Sequence, residues 1–405
     1  MSPTADWFRR ATDKSARVVV GMISGTSADS IDAAVCRISG AGVPTADRDG
    51  ARVELLHYGE SPYDPELKAR ILNLAQLDVR AIAELNVQVG EAFAHACLKT
   101  VDEAGLKPSD VDLIGSHGQT VYHHSSVPGA RGATHQVGDG DVIAERTGAM
   151  VVCDFRARDI AGGGEGAPIS PYADMILYAP RDRTAAADRR AILNLGGIAN
   201  VTVLDPDPSR VFGFDTGPAN TLLDRLARRL TDGALSCDQD GALARAGRVD
   251  QGFVERLLSE DPYLNRKPPK STGFEMYGDA FVERAGSLLG RFDADLMASL
   301  TEFTARTVAD AFARFVPPVA EVVGAGGGVK NPVLIGRIAK LLAPARFVLG
   351  DDRGVPGDAR EAMAFAILAN DALFGLPTSL PAVTGARRPA TLGKFCLPNQ
   401  LNRRA

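Results

Sequence analysis

Apolar positions fall first into three short β-branched runs. RVVVGMI (17–23), IDAAVCRIS (31–39) and VELLHYG (53–59) are separated by Gly, Ser and Asp, which predicts an antiparallel strand meander. The period then lengthens. Leu67, Ile71 and Leu74, and later Ile82, Leu85, Val89 and Phe93, share one face of helices over 65–104. VDLIGSHG (111–118) and VVCDF (151–155) are short buried strands, and the polar stretch APRDRTAAADRR (179–190) marks a boundary.

Beyond it the pattern begins again. AILNLGG (191–197) and NVTVLDPD (200–207) are strands meeting turns, followed by FGFDTGPAN (212–220) and the helix LLDRLARRL (222–230). Helical periodicity dominates 278–314. EVVGAGGG (321–328) runs into KNPVLIGRIAKLLA (330–343) as a strand, a Gly-rich loop and a helix, and 358–375 is a last helix. Each half opens with a strand, a glycine turn and a second strand, a faint internal duplication. The expected organisation is an extension at 1–16, domains at 17–185 and 186–375, and a tail at 376–405 that packs back on the body.

At 405 residues, with 45% apolar and 23% charged positions, the chain has material for two cores. Its net charge of −5 provides no footprint for nucleic acid or an anionic membrane surface. No apolar run approaches the ~20 residues of a membrane span. The N-terminal MSPTADWFRRATDKSAR lacks an apolar core and reads as a frayed extension rather than a secretory signal. Cys36, Cys97, Cys153, Cys237 and Cys396 are odd in number and contain no CxxC; four of them have core-like neighbours. Free thiols in the cytoplasm fit that usage.

Six stretches carry chemistry. In GTSADSID (25–32), a tight turn would bring the backbone at Gly25 close to a ligand and expose a nest of N–H groups suited to phosphate, with Thr26 and Ser27 adding hydroxyls. Asp29 and Asp32 would repel a bare phosphate, so they imply a divalent cation between. Walker spacing is absent, and a plain hairpin turn competes. In FGFDTGPAN, Asp215 at a strand end suits a general base or a helix cap. DTG is also the aspartic-protease signature, but no second copy is present to pair with it. In GAGGGVKN (324–331), three glycines would let a flat ring lie on backbone and Asn331 would cap the next helix; a packing turn is the alternative.

HGQTVYHH (117–124) holds three of the six histidines, yet a zinc site of His117 with His123 or His124 lacks further ligands in the segment. His117, Gln119 and Thr120 read instead as hydrogen-bonding groups for a polyol or amide. Arg156, Arg158 and Asp159 precede a Gly-rich segment, as an anion clamp or a solvated loop. Glu361 falls on the first turn of a helix, where it complements the dipole or serves as a second catalytic carboxylate.

In combination and order, GTSADSID, GSHGQT, QVGDGDVIAERTG, DFRARDIAGGGEGAP, NLGGIANVT, FDTGPAN, STGFE, GAGGGVKN and DAREAMAF resemble the anhydro-N-acetylmuramic acid kinase family from about residue 18 to about 395. The resemblance implies an α/β fold of two ribonuclease-H-like domains around a central nucleotide cleft, as in sugar kinases, Hsp70 and actin. It implies ATP, Mg²⁺, a 1,6-anhydro sugar and a homodimer. By motif, Asp215 and Glu361 are the catalytic pair. ATP falls to Gly25, Thr26, Ser27, Ala28, Asp29, Ser30, Ile31, Asp32, Gly196, Gly197, Asn200, Gly326, Gly327, Gly328 and Asn331, with the metal at Asp29. The sugar falls to His117, Gln119, Thr120, Arg156, Asp159, Gly217 and Asn220. The family turn usually reads GTSLDGID. Ala28 is then a harmless change, whereas Ser30 replaces a glycine whose φ is expected to be positive, at about 1 kcal/mol. A kinase for levoglucosan or another sugar, and an actin- or Hsp70-like ATP-binding module, are the alternatives.

Overall fold

The computed structural model describes residues 3–44, 49–74, 77–124, 132–178 and 189–399, with side chains from Trp7 onward. The chain divides into two units. The first is Met1–Arg181, Asp207–Arg210 and Gly354–Ala405, and the second is Asp182–Pro206 and Val211–Arg353. Most of the stretch expected as the boundary, 179–188, lies outside the described residues.

The first unit holds β1 (Ala16–Ser24), β2 (Ser30–Ser39), β3 (Arg52–Pro62), β4 (Leu113–His124), β5 (Ala133–Val137) and β6 (Met150–Cys153). The second holds β7 (Arg190–Leu195), β8 (Ile198–Leu204), β9 (Phe212–Pro218), β10 (Glu321–Ala325) and β11 (Arg346–Leu349). β12 (Lys394–Cys396) returns to the first sheet, beside β6. The first sheet runs β12-β6-β4-β1-β2-β3, with β5 on β4, and the second runs β11-β10-β7-β8-β9. In each, an antiparallel meander is followed by two parallel strands added on the other side of its first strand. This shared order is ribonuclease-H-like, and it makes the internal duplication explicit.

In the first unit, Val20, Met22 and Ile31 pack with Leu85, Val89 and Phe93 of the helix Val79–Glu103. Asp78 caps that helix, accepting from the Ala81 N–H at 2.7 Å. The opposite face of the sheet carries the helix Arg360–Leu373, pressed against bare backbone. A Cβ on Gly21 would lie 1.9 Å from the Ala362 carbonyl oxygen, and one on Gly115 would lie 2.1 Å from that of Phe365. The close approach explains why both strands carry glycine at a buried position.

Two expectations are corrected here. The 354–375 segment belongs to the first unit, not to the second domain, because its helix completes that sheet's second face. The supposedly frayed N-terminus forms a helix, Pro3–Thr12, whose Phe8 meets Phe395 edge-on at 5.0 Å and whose Ala11 is buried. The second unit has its own core, in which Leu193, Val201 and Phe214 pack with Leu222, Leu226, Leu300 and Phe303.

Candidate active site

The β1–β2 turn is closed by the Ala28 N–H donating to the Gly25 carbonyl at 3.0 Å. Gly25, Thr26 and Ser27 are exposed, and a Cβ on Gly25 would meet nothing within 4 Å. Solvent therefore sees bare backbone and two hydroxyls. The expectation about strain is reversed. Ala28 is the left-handed residue, at φ 50°, with its methyl wholly buried, while Ser30 begins β2 with ordinary backbone. The Ser30 hydroxyl donates to Asp32 Oδ1 at 3.0 Å. Ile31 points into the core, so no ligand reaches its side chain.

A cavity of about 250 Å³ opens beside the turn, lined by Gly25, Ser27, Asp29, Ser30, Asp32, Tyr58, Glu60 and Asp358. Asp32 and Glu60 are direct partners across β2 and β3. Burial pushes the Asp32 carboxyl up to about 6; the Ser30 hydroxyl opposes the shift and the Glu60 charge adds to it. Asp29 is exposed and paired with Lys68 at 2.6 Å, which with its hydrogen bond holds it below the ordinary range.

Gln119, expected on the sugar, instead braces the turn: its Nε2 donates to the Gly25 carbonyl at 3.0 Å and its Oε1 accepts from Tyr63. Thr120 accepts from Gln136. Asp159 is fully buried and accepts from the Gly166 N–H and the Thr384 hydroxyl, both at 2.8 Å. It organises the glycine loop from within.

Arg156 is held from two sides. Its Nε donates to His117 Nε2 at 2.8 Å, and Nη1 donates to the Gly166 carbonyl at 2.9 Å. Because Nε2 accepts, the His117 proton belongs on Nδ1, 3.0 Å from the Gly118 carbonyl. Burial, aided by the Arg156 charge, lowers the His117 pKa to about 3. With both nitrogens engaged, neutral His117 steadies Arg156 and offers no lone pair to a sugar or to zinc. His123 is occupied separately, by Thr134 at 3.2 Å.

Arg156 lines a cavity of about 220 Å³ with Ile23, Pro168, Ile169, Ser170, Glu361 and Phe365. Two expected site residues, Arg156 and Glu361, thus meet in one cavity. Glu361 stands next to Arg360, whose guanidinium makes a two-pronged, buried pair with Asp174. That pair fixes the start of the helix carrying Glu361.

In the second unit, a bulge in the β8–β9 pairing sets Asp215 opposite Asn200. Asp215 Oδ2 accepts from the Thr272 N–H at 2.9 Å, and its carbonyl accepts from the Tyr263 hydroxyl at 2.6 Å. Burial raises the Asp215 pKa, against the Thr272 hydrogen bond and the nearby Lys270 charge. The Lys270 ammonium is seated over the Tyr263 ring at 4.6 Å and that of Phe315 at 5.1 Å. Gly217, at φ 153°, packs on Thr307, whose hydroxyl would lie 3.0 Å from an added Cβ.

The Gly196 and Gly197 carbonyls accept from the N–H groups of Ala219, Asn220 and Thr221, at 2.9 to 3.0 Å, and so anchor the start of the helix Asn220–Leu230. Of the three consecutive glycines, Gly326 and Gly328 press on Asn194 and Leu195, and Gly327 faces open space. It lines a cavity of about 470 Å³ with Asn220, Asp224, Asp238, Lys330 and Asn331. Asn220, expected on the sugar, therefore shares the Gly-rich loop's cavity. Asn331 caps the helix Pro332–Leu341, accepting from the Val333 and Leu334 N–H groups at 3.1 Å.

Residues 17–398 match the family model for anhydro-N-acetylmuramic acid kinase. The chain belongs to this family. Over 407 residues it is 42% identical to the anhydro-N-acetylmuramic acid kinase of Caldanaerobacter subterraneus subsp. tengcongensis, covering 97% of this chain and 100% of that one. Over 383 residues it is 42% identical to the enzyme of the same name from Gloeobacter violaceus, covering 93% and 97%. As a member of the anhydro-N-acetylmuramic acid kinase family it is a sugar kinase. Sequence reasoning missed Tyr58 and Glu60 on β3, and Lys270 and Thr272 around Asp215. The polar positions in HYGE (57–60) and KSTG (270–273) were the available signal, but only pairing brings them to the carboxylates. Among the described residues no helix is long and apolar enough to cross a membrane.

Proposed function

We propose that the protein uses ATP to phosphorylate O6 of anhydro-N-acetylmuramic acid as water opens its 1,6-anhydro ring. The product is N-acetylmuramic acid 6-phosphate, in peptidoglycan recycling. The family match over 17–398 carries this reading, and a half-buried Asp215 at the β8–β9 bulge, in mid-strand rather than at the strand end expected from sequence, supports it.

O6 of an anhydro sugar is bonded to C1 and carries no proton, so it is a poor nucleophile. Water attacks C1 from the face opposite O6, Asp215 accepts its proton, and the C1–O6 bond breaks toward O6. O6 takes the γ-phosphoryl group and ADP leaves, so no general acid is needed. C1 acquires oxocarbenium character, as in inverting glycosidases. In its cavity with Arg156, Glu361 is assigned to orienting the water or to offsetting positive charge at C1. Arg156 is assigned to an anionic or polar group of the sugar.

The Gly25–Asp29 turn is assigned to phosphate and the Gly327 cavity to adenosine. Among the described residues no three acidic, His or Cys side chains converge on one metal position, so Mg²⁺ would be held by Asp32 beside the turn together with phosphates and waters. Asp29, expected as the ligand, is instead engaged by Lys68, so Asp32 is the better-placed donor. Mg²⁺ would offset phosphate charge there. A homodimer in the cytoplasm is part of the same proposal, open to light scattering and to cell fractionation.

The test is an ADP-release assay with anhydro-N-acetylmuramic acid, levoglucosan and open-ring N-acetylmuramic acid. Strong stimulation by the first is expected. Stimulation by levoglucosan alone would shift the substrate, and stimulation by the open-ring sugar alone would overturn ring opening.

A further inference from the structure

Cys153 closes β6 and Cys396 closes β12. In their antiparallel register Cys153 pairs with Lys394 and Cys396 pairs with Val151, so both thiols stand on one face, a diagonal step apart. Their sulfurs are 3.8 Å apart. A Cβ built on Gly140 would lie 2.7 Å from each of them, so both converge over the glycine that opens the helix Gly140–Thr147. Both residues pack against the first unit's core, as the sequence led us to expect, and are partly open to solvent. Cys36 and Cys97, by contrast, are wholly buried and their thiols are pushed up to about 12 by burial.

We infer that Cys153 and Cys396 form a redox-active thiol pair, which a hydroperoxide closes to a disulfide that ties the C-terminal strand to β6. Cys153 is the attacking member. Lys394 is its direct partner across the strands, and that charge favours a thiolate at Cys153. A helix N-terminus also favours a thiolate. The Cys153 thiolate attacks the peroxide O–O bond, giving a sulfenic acid and, after protonation, water or an alcohol. Cys396 sulfur then displaces hydroxide from that sulfenic acid, releasing water and forming the S–S bond. Two thiols are oxidised and one peroxide is reduced. Bonding at about 2.05 Å requires the sulfurs to close by about 1.8 Å, through side-chain rotation and a shift of a three-residue edge strand. Since Phe395 carries the contact to Phe8, the bond would fasten the N-terminal helix as well.

Full-length protein is treated with hydrogen peroxide at neutral pH, quenched by alkylation and digested without reductant. A peptide pair linked through Cys153 and Cys396, reversed by dithiothreitol, is expected in the wild type. In Cys396→Ser, Cys153 should instead accumulate as a dimedone-trapped sulfenic acid. Oxidised wild type should melt several degrees above the reduced form, a shift lost in Cys153→Ser. Oxidation confined to the exposed Cys237, with Cys153 and Cys396 both still alkylated, would overturn the inference. So would linkage that forms only in denaturant.

Discussion

The Thr272 N–H fixes one oxygen of Asp215, at 2.9 Å from Oδ2, and among the described residues no hydrogen bond reaches Oδ1. One oxygen is thus held for orientation, and the other is the one that would take the proton in the proposed reaction. Asp215→Asn retains an acceptor for Thr272 and loses the base. Turnover should fall roughly 10²–10⁴-fold, or ~3–5 kcal/mol, with substrate affinity kept. Steady-state kinetics and calorimetric binding check this, and near wild-type turnover would remove Asp215 from its role.

The pH profile has a definite sign. As the proposed base, Asp215 works ionised, and burial raises its pKa, so kcat/KM should fall on acidification at a pH above that of an exposed aspartate. Lys270→Met removes a charge that favours the ionised form, so the acid limb should move to still higher pH. A shift to lower pH would contradict the arrangement.

His117 ties stability to pH. It is neutral in the folded protein to about pH 3, whereas the unfolded side chain gains its proton near 6.5. Its contribution is therefore complete above about 6.5 and is lost as pH falls toward 3, amounting to a few kcal/mol. His117→Asn should flatten the fall in melting temperature between pH 7 and 4. Because Arg156 loses its acceptor, KM for the sugar should rise more than kcat falls.

Gly21→Ala and Gly115→Ala should each cost at least about 1–3 kcal/mol, since the added methyl meets helix backbone that has little room to move. Gly25→Ala is the contrast. Its Cβ enters open space, so the melting temperature should hold while ATP binding weakens. Thermal melts and nucleotide titrations separate the two behaviours.

Asp174→Ala should destabilise by about 3–5 kcal/mol, because it leaves Arg360 charged and buried. Asp174→Leu combined with Arg360→Met should recover much of that loss. Denaturant melts of the two variants decide the point.

The meander strands, the helices over 65–104 and the strand–glycine–helix units were legible because period and turn residues report an element's type. Partnership was not. Nothing in DAREAMAF says that its helix lies on Gly21 and Gly115, so the domain boundary was drawn in the wrong place. The sign of φ was misread as well. Glycine is common in the family at the position Ser30 fills, yet the turn puts its left-handed residue at Ala28. Ala28→Gly would relieve about 1–2 kcal/mol of backbone cost. It would forfeit about 0.8 kcal/mol of buried methyl and about 0.4–1 kcal/mol of chain entropy, so alanine there is close to neutral. Gln119, His117 and Asp159 were recognised as polar groups near a ligand, but each turned out to brace a neighbour. Residue type cannot tell a contact from its support.

The return of 354–405 to the first unit also bears on the order of synthesis. β1 and β4 leave the ribosome early, but the helix that covers their glycine face comes only after the whole second unit. Until Leu373 has emerged, Gly21 and Gly115 present bare backbone to water, and that face can close only by a contact very distant in sequence. The nascent first unit therefore waits on its last helix with that face open, and any truncation before Arg360 leaves it unfinished.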